Sequence, residues 1–169
     1  MHVPNLMNRN ASIENYLATD LWIASVLSIS LVLITVLFHY EALRIFTNLL
    51  ARPSNQPRRR ILQLVFGLFL LHTLEILIFA AAYQGLQAIG LGELNGLDNH
   101  QLFSYFYYSA VVYTTLGFGD VIPLGPLKIL TAMEGLIGLG FITWSASFTF
   151  LEMQRYWKDG ERATKKMRR

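Results

Sequence analysis

The sequence predicts an all-α membrane protein: three transmembrane helices, with a short re-entrant helix and a glycine-containing loop between the second and third. Three observations lead there. Residues 21–38, 61–83 and 127–151 are long, charge-poor apolar stretches, and at about 1.5 Å per residue each approaches or exceeds the ~30 Å hydrocarbon thickness of a bilayer. Residues 101–113 are apolar and aromatic but would form a helix only about 18–20 Å long, too short to cross and suited to a segment that enters and returns. Twelve of the 14 Lys and Arg residues lie either between positions 40 and 60 or after 151, the bias of cytoplasmic flanks of membrane spans.

Composition narrows the function classes. Hydrophobic residues make up 53% of the chain and charged ones 15%, and the apolar residues sit in runs, as lipid-facing segments require. Cysteine is absent, which removes disulfides and Cys-based metal sites. The net charge of +3 does not point to nucleic acid, because the basic residues flank the apolar runs. No nucleophile–base pair and no metal-ligand grouping stands out along the chain, so no enzyme is expected.

Taken in order, residues 1–20 are polar, with Asn5, Asn8, Asn10 and Asn15, and read as a short amphipathic or disordered lead without a signal-peptide cleavage pattern. The first span has Trp22 at one end and His39–Tyr40 at the other, placed as interfacial residues. Helix should continue into an amphipathic extension with Leu43, Phe46 and Leu50 on one face and Glu41, Arg44 and Asn48 away from it, until Pro53 and Pro57 stop it. Arg58, Arg59 and Arg60 open the second span, which carries His72 and Glu75; an ionisable residue at that depth should face protein or water. Residues 84–100 form a Gly-rich connector with Glu93 and Asp98 and no basic residue. After the aromatic segment comes Thr114-Thr115-Leu116-Gly117-Phe118-Gly119-Asp120, then Pro123 and Pro126, the latter suited to the first turn of the third span. That span carries Glu134, Gly135, Gly138 and Gly140, with Tyr156–Trp157 and a basic tail after it. Placing both basic clusters in the cytoplasm puts the N-terminus and the Gly-rich loop outside.

Alternating glycines allow several consecutive backbone carbonyls to face one axis, because Gly117 and Gly119 accept φ > 0 without a Cβ penalty. Such rings of carbonyls replace the hydration shell of K⁺. The side chains of Leu116 and Phe118 would then point away and pack against the surrounding helices, and Thr115 would add a hydroxyl at the inner end. One chain without an internal repeat supplies one strand, so the ring needs four chains. The C-terminal end of the preceding helix would favour a cation below the loop, and Glu93, Asp98 and Asp120 make an acidic mouth.

Residues 103–151 resemble the pore helix, selectivity filter and inner helix of tetrameric potassium channels, and the second span resembles their outer helix. The whole chain is similar to small three-span bacterial members with an extra N-terminal helix. The resemblance implies a homotetramer in a bacterial plasma membrane that conducts K⁺ passively, with no cofactor besides the permeant ion. It implies K⁺ ligands at Thr115, Leu116, Gly117, Phe118 and Gly119. Asp120 would bond to Tyr107 or Tyr108 of the pore helix, Thr114 and Tyr113 would support the filter, and Gly138 or Gly135 would be the inner-helix hinge. Phe118 stands where the family commonly has tyrosine, and Leu116 where it has valine. The implied division is a lead at 1–20, an extra span with linker at 21–57, a pore domain at 58–157 and a basic tail at 158–169, which adds a possible contact with anionic lipid headgroups. A less selective cation channel of the same fold and a non-conducting membrane assembly subunit are the alternatives. Two readings stand for Glu75 and Glu134: bonding behind the filter to groups such as Tyr113 or Thr114, which would tune gating, or packing between helices. His72 reads as a helix-contact residue.

Overall fold

A computed structural model describes the backbone of residues 6–50, 57–98 and 101–167, and side-chain surroundings for 18–49, 59–98 and 101–155. Four helices carry almost all of it: α1 (Leu6–Leu50), α2 (Pro57–Ala88), α3 (Leu102–Tyr113) and α4 (Leu127–Met167). Two short strands, β1 (Glu93–Asn95) and β2 (Ile122–Leu124), pair antiparallel. Three helical segments, Ala18–Leu49, Arg59–Ala88 and Leu127–Arg155, are long and apolar enough to cross a membrane. The chain is therefore an all-α membrane protein with a short helix inserted between its last two spans.

The helices outrun the apolar stretches. α1 has 45 residues and is about 68 Å long; it starts at Leu6, so the helix runs unbroken from there into the first span. α1 ends at Leu50, ahead of Pro53, whereas Pro57 opens α2, where a missing N–H is harmless because first-turn amides lack a helical acceptor. Pro53, and the side chains of Leu50, Arg58, Tyr156, Trp157 and the basic tail, lie outside the described residues. In the amphipathic extension Leu43 is buried, Phe46 half-buried, and Glu41, Arg44 and Asn48 exposed, as the helical spacing predicts.

The core forms in three clusters, two of which include α3. Toward the loop end, Phe79, Tyr83, Leu86, Leu91, Leu94, Tyr105, Tyr108, Leu127 and Leu130 pack together. In the middle, Ile76, Tyr113 and Phe141 bring together α2, α3 and α4, with Val36 of α1 against them. At the other end, Leu43 of α1 packs on Leu64, Leu68 and Leu71 of α2. Span one is thus part of the packed unit, seated on α2 and α4. Its other face stays bare, with Trp22 74% exposed and Leu37 65% exposed, which suits a surface meeting lipid or another chain.

The β1–β2 pairing is absent from the sequence reading, which has only a connector at 84–100. Glu93 pairs with Leu124, Leu94 with Pro123 and Asn95 with Ile122. The Gln87 side-chain oxygen accepts the Leu94 amide at 3.3 Å. Gly96 passes so close to the Asp120 carbonyl that a Cβ would collide with it. The connector is therefore a clamp on the chain just beyond Asp120.

Candidate ion-conducting site

α3 ends where its last carbonyls are claimed by the following loop. The Thr114 amide donates to Ala110, Thr115 to Val112, and Leu116 and Gly117 both to Val111, at 2.9–3.4 Å. Turning these amides toward the helix end leaves the carbonyls to face elsewhere. Thr115 (φ 60°), Gly117 (φ 57°) and Gly119 (φ 79°) all have positive φ, whereas Leu116 and Phe118 do not. Alternation of this kind swings successive carbonyls to one side of the strand, where an ordinary extended strand would alternate them. The glycines were legible as the enabling residues. Thr115 was not: a left-handed non-glycine costs about 1–2 kcal/mol, and its amide bond to Val112 at 2.9 Å helps hold it.

Residues 114–120 are all exposed. Leu116 and Phe118, expected to pack against the surrounding helices, are 61% and 66% exposed within one chain. The helices of the same chain do not cover them.

Hydroxyl and carboxyl groups brace the loop from behind. Beyond it, the Tyr107 phenol donates to Asp120 Oδ2 at 2.7 Å. That bond holds the Asp120 carboxyl below its ordinary range, with help from the amides of Asp120 and Val121 and against a smaller desolvation effect. Tyr108, the other candidate for this role, instead shares a 2.9 Å bond with Thr131 of α4. Glu134 is fully buried; Ser109 of α3 donates to it at 2.5 Å and Tyr83 of α2 at 2.6 Å. It reaches neither Tyr113 nor Thr114 among these bonds, and it ties all three helices of the resembling region together. The Thr114 hydroxyl caps Ala110 within its own helix at 2.6 Å.

Tyr113, the last residue of α3, is buried and donates its phenol to Glu75 Oε2 at 2.5 Å. Glu75, also fully buried, accepts from His39 Nδ1 of α1 at 2.8 Å. His72 Nδ1 lies 3.1 Å from the Glu75 carboxylate and 2.8 Å from the Tyr113 hydroxyl. His39 is not the interfacial residue the sequence suggested. It is completely buried and stacked on Phe141 at 4.3 Å, because Glu75 on the facing helix satisfies its ring N–H. The only sequence signal for it was an ionisable ring closing an apolar run.

On α4, Gly138 lies against the Tyr113 backbone so closely that a Cβ would meet its carbonyl, while Gly135 has only ordinary contact with Val112. α4 runs without interruption through both. The geometry at Gly138 is that of a helix pressed onto the point where α3 becomes the loop.

A family model described as an ion channel matches residues 71–155, just over half of the chain, from the middle of α2 through α3 and the loop into α4. No curated protein and no solved structure matches the chain.

Proposed function

Since the chain belongs to the potassium-channel pore-domain family of ion channels, we propose that four copies surround one axis and conduct K⁺ passively through rings of backbone carbonyls. Thr115, Leu116, Gly117, Phe118 and Gly119 supply the ligands, and the ion is the transported substrate. The observation that carries this reading is the alternation of positive φ at Thr115, Gly117 and Gly119 directly after a buried short helix. A dehydrated K⁺ exchanges water oxygens for carbonyl oxygens of neighbouring subunits, and the carbonyl dipoles require no charged side chain in the loop.

Four-fold assembly also accounts for the exposure of Leu116 and Phe118. In the tetramer they pack against neighbouring subunits, as do Leu136 and Leu139 of α4, exposed by 76% and 54% in one chain. Tyr107–Asp120 and the β1–β2 clamp fix the outer end of the filter. Glu134 fixes the pore helix against α2 and α4, and Tyr113 fixes its inner end. Gly138 permits close contact at that inner end. The acidic residues Glu93, Asp98 and Asp120 raise the local cation concentration at the outer mouth, with the N-terminus on that side and the basic tail in the cytoplasm.

The test is purified protein in liposomes carrying a K⁺ gradient, with native mass measured on the same sample. A tetrameric mass and a flux lost in Gly117→Ala support the proposal. A monomer, or a flux indifferent to that change, removes it.

A further inference from the structure

We propose that His39, His72 and Glu75 form a binding site for a zinc-class divalent transition metal, built across α1 and α2 and set against the end of the pore helix. One ring nitrogen of His39, one of His72 and a Glu75 carboxylate oxygen all lie within 4.8 Å of one another. Two neutral imidazoles and one carboxylate are the donor set of many three-ligand zinc sites. Ligand atoms 2.0–2.1 Å from a tetrahedral zinc stand roughly 3.3 Å apart. His39 Nδ1 lies 2.8 Å from Glu75 Oε1 and His72 Nδ1 3.1 Å from Glu75 Oε2, so the ion enters once the two imidazoles turn toward one carboxylate oxygen. Ca²⁺ and Mg²⁺ call for more oxygen donors than this cluster offers.

The surroundings supply what such a site needs besides ligands. The His39 ring is fixed by its stack on Phe141, and its Nε2 is 3.5 Å from Ser145 Oγ of α4, the outer partner toward which the ring N–H shifts when Nδ1, which donates to Glu75 here, takes the metal. The Tyr113 hydroxyl, 2.8 Å from His72 Nδ1 and donating to Glu75 Oε2, ties two of the ligands to the end of the pore helix. A cavity of about 420 Å³ lined by His72, Tyr113, Thr114 and Ser145 among apolar residues gives the ion a way in. The ion locks α1 to α2 beside Tyr113, which is separated from the filter by Thr114 alone. Occupancy therefore couples span one to the filter, and under the proposed channel function it changes K⁺ flux.

The site itself is tested without flux. Dialysed full-length protein is titrated with Co²⁺ alone and with Zn²⁺ alone, and bound metal is counted per chain. One ion per chain, the intense visible absorption of tetrahedral cobalt, and displacement of that cobalt by zinc support the site. H39Q and H72Q, each checked for native mass, then weaken binding by at least about tenfold, while H2Q/H100Q, which removes the other two histidines of the chain, leaves it unchanged. Wild-type protein that gives only the weak absorption of octahedral cobalt overturns the proposal, and so does binding that survives both H39Q and H72Q. In either case the cluster is a hydrogen-bonded network only.

Discussion

Tyr107 and Asp120, 13 residues apart, meet at 2.7 Å across the glycine loop, the phenol donating to the carboxylate. This bond joins the outward face of α3 to the first residue after the loop, so it closes the loop as a ring. It also makes the mouth sensitive to acid. The folded carboxyl is held below the ordinary aspartate value of 3.8. Its stabilising contribution is therefore fully present above that value and lost as pH falls through the lower folded value. Tyr107→Phe should move the acid loss of native structure, or of flux under the proposed channel function, to a higher pH, toward the ordinary value. Identical acid profiles in the two proteins would show that the bond contributes nothing.

Gly138→Ala places a methyl group on the Tyr113 carbonyl. Overpacking against backbone costs about 1–3 kcal/mol, so this change should lower the thermal midpoint of the assembled protein and reduce flux. Gly85 of α2 provides the contrast, because a Cβ there meets nothing within 4 Å. Gly85→Ala should be neutral or stabilising by up to about 1 kcal/mol from helix propensity. Equal effects at the two positions would contradict the packing assigned to Gly138.

Glu134→Ala removes one acceptor from each of the buried hydroxyls of Ser109 and Tyr83, which keep the Ile76 carbonyl at 2.9 Å and the Thr131 hydroxyl at 3.3 Å. Each lost hydrogen bond costs about 0.5–1.5 kcal/mol. Glu134→Gln keeps the shape and an acceptor and should recover much of that loss. Denaturation of the two variants in detergent or bilayer, with the alanine variant as stable as the glutamine one, would rule out the bracing role.

Under the proposed four-fold assembly, a permeant ion that binds the folded tetramer and not the separated chains stabilises it by mass action. Thermal stability should therefore rise with K⁺ concentration and less with Na⁺ at the same ionic strength. Equal stabilisation by both salts would point to screening and away from carbonyl ligation.

The spans, the short helix and the glycine loop were legible because each rests on local composition: apolar run length, aromatic content and two glycines with one residue between them. The Tyr107 partner of Asp120 was legible only as one of two candidates, since Tyr107 and Tyr108 are neighbours in sequence but leave the helix in different directions. The place of span one was not legible. It depends on His39 meeting Glu75, 36 residues away on another helix, and an isolated histidine at the end of an apolar run looks the same whether it faces headgroups or protein. The β1–β2 clamp escaped for a related reason. Its strands are three residues each, too short for an alternating pattern, and their pairing is set by the return of the loop.

The central claim is tested most directly by the reversal potential of purified protein in a planar bilayer with K⁺ on one side and Na⁺ on the other. The carbonyl filter predicts a potential close to that of a K⁺ electrode, with the K⁺ preference lost in Gly119→Asp. A reversal potential near zero in the unaltered protein would contradict it.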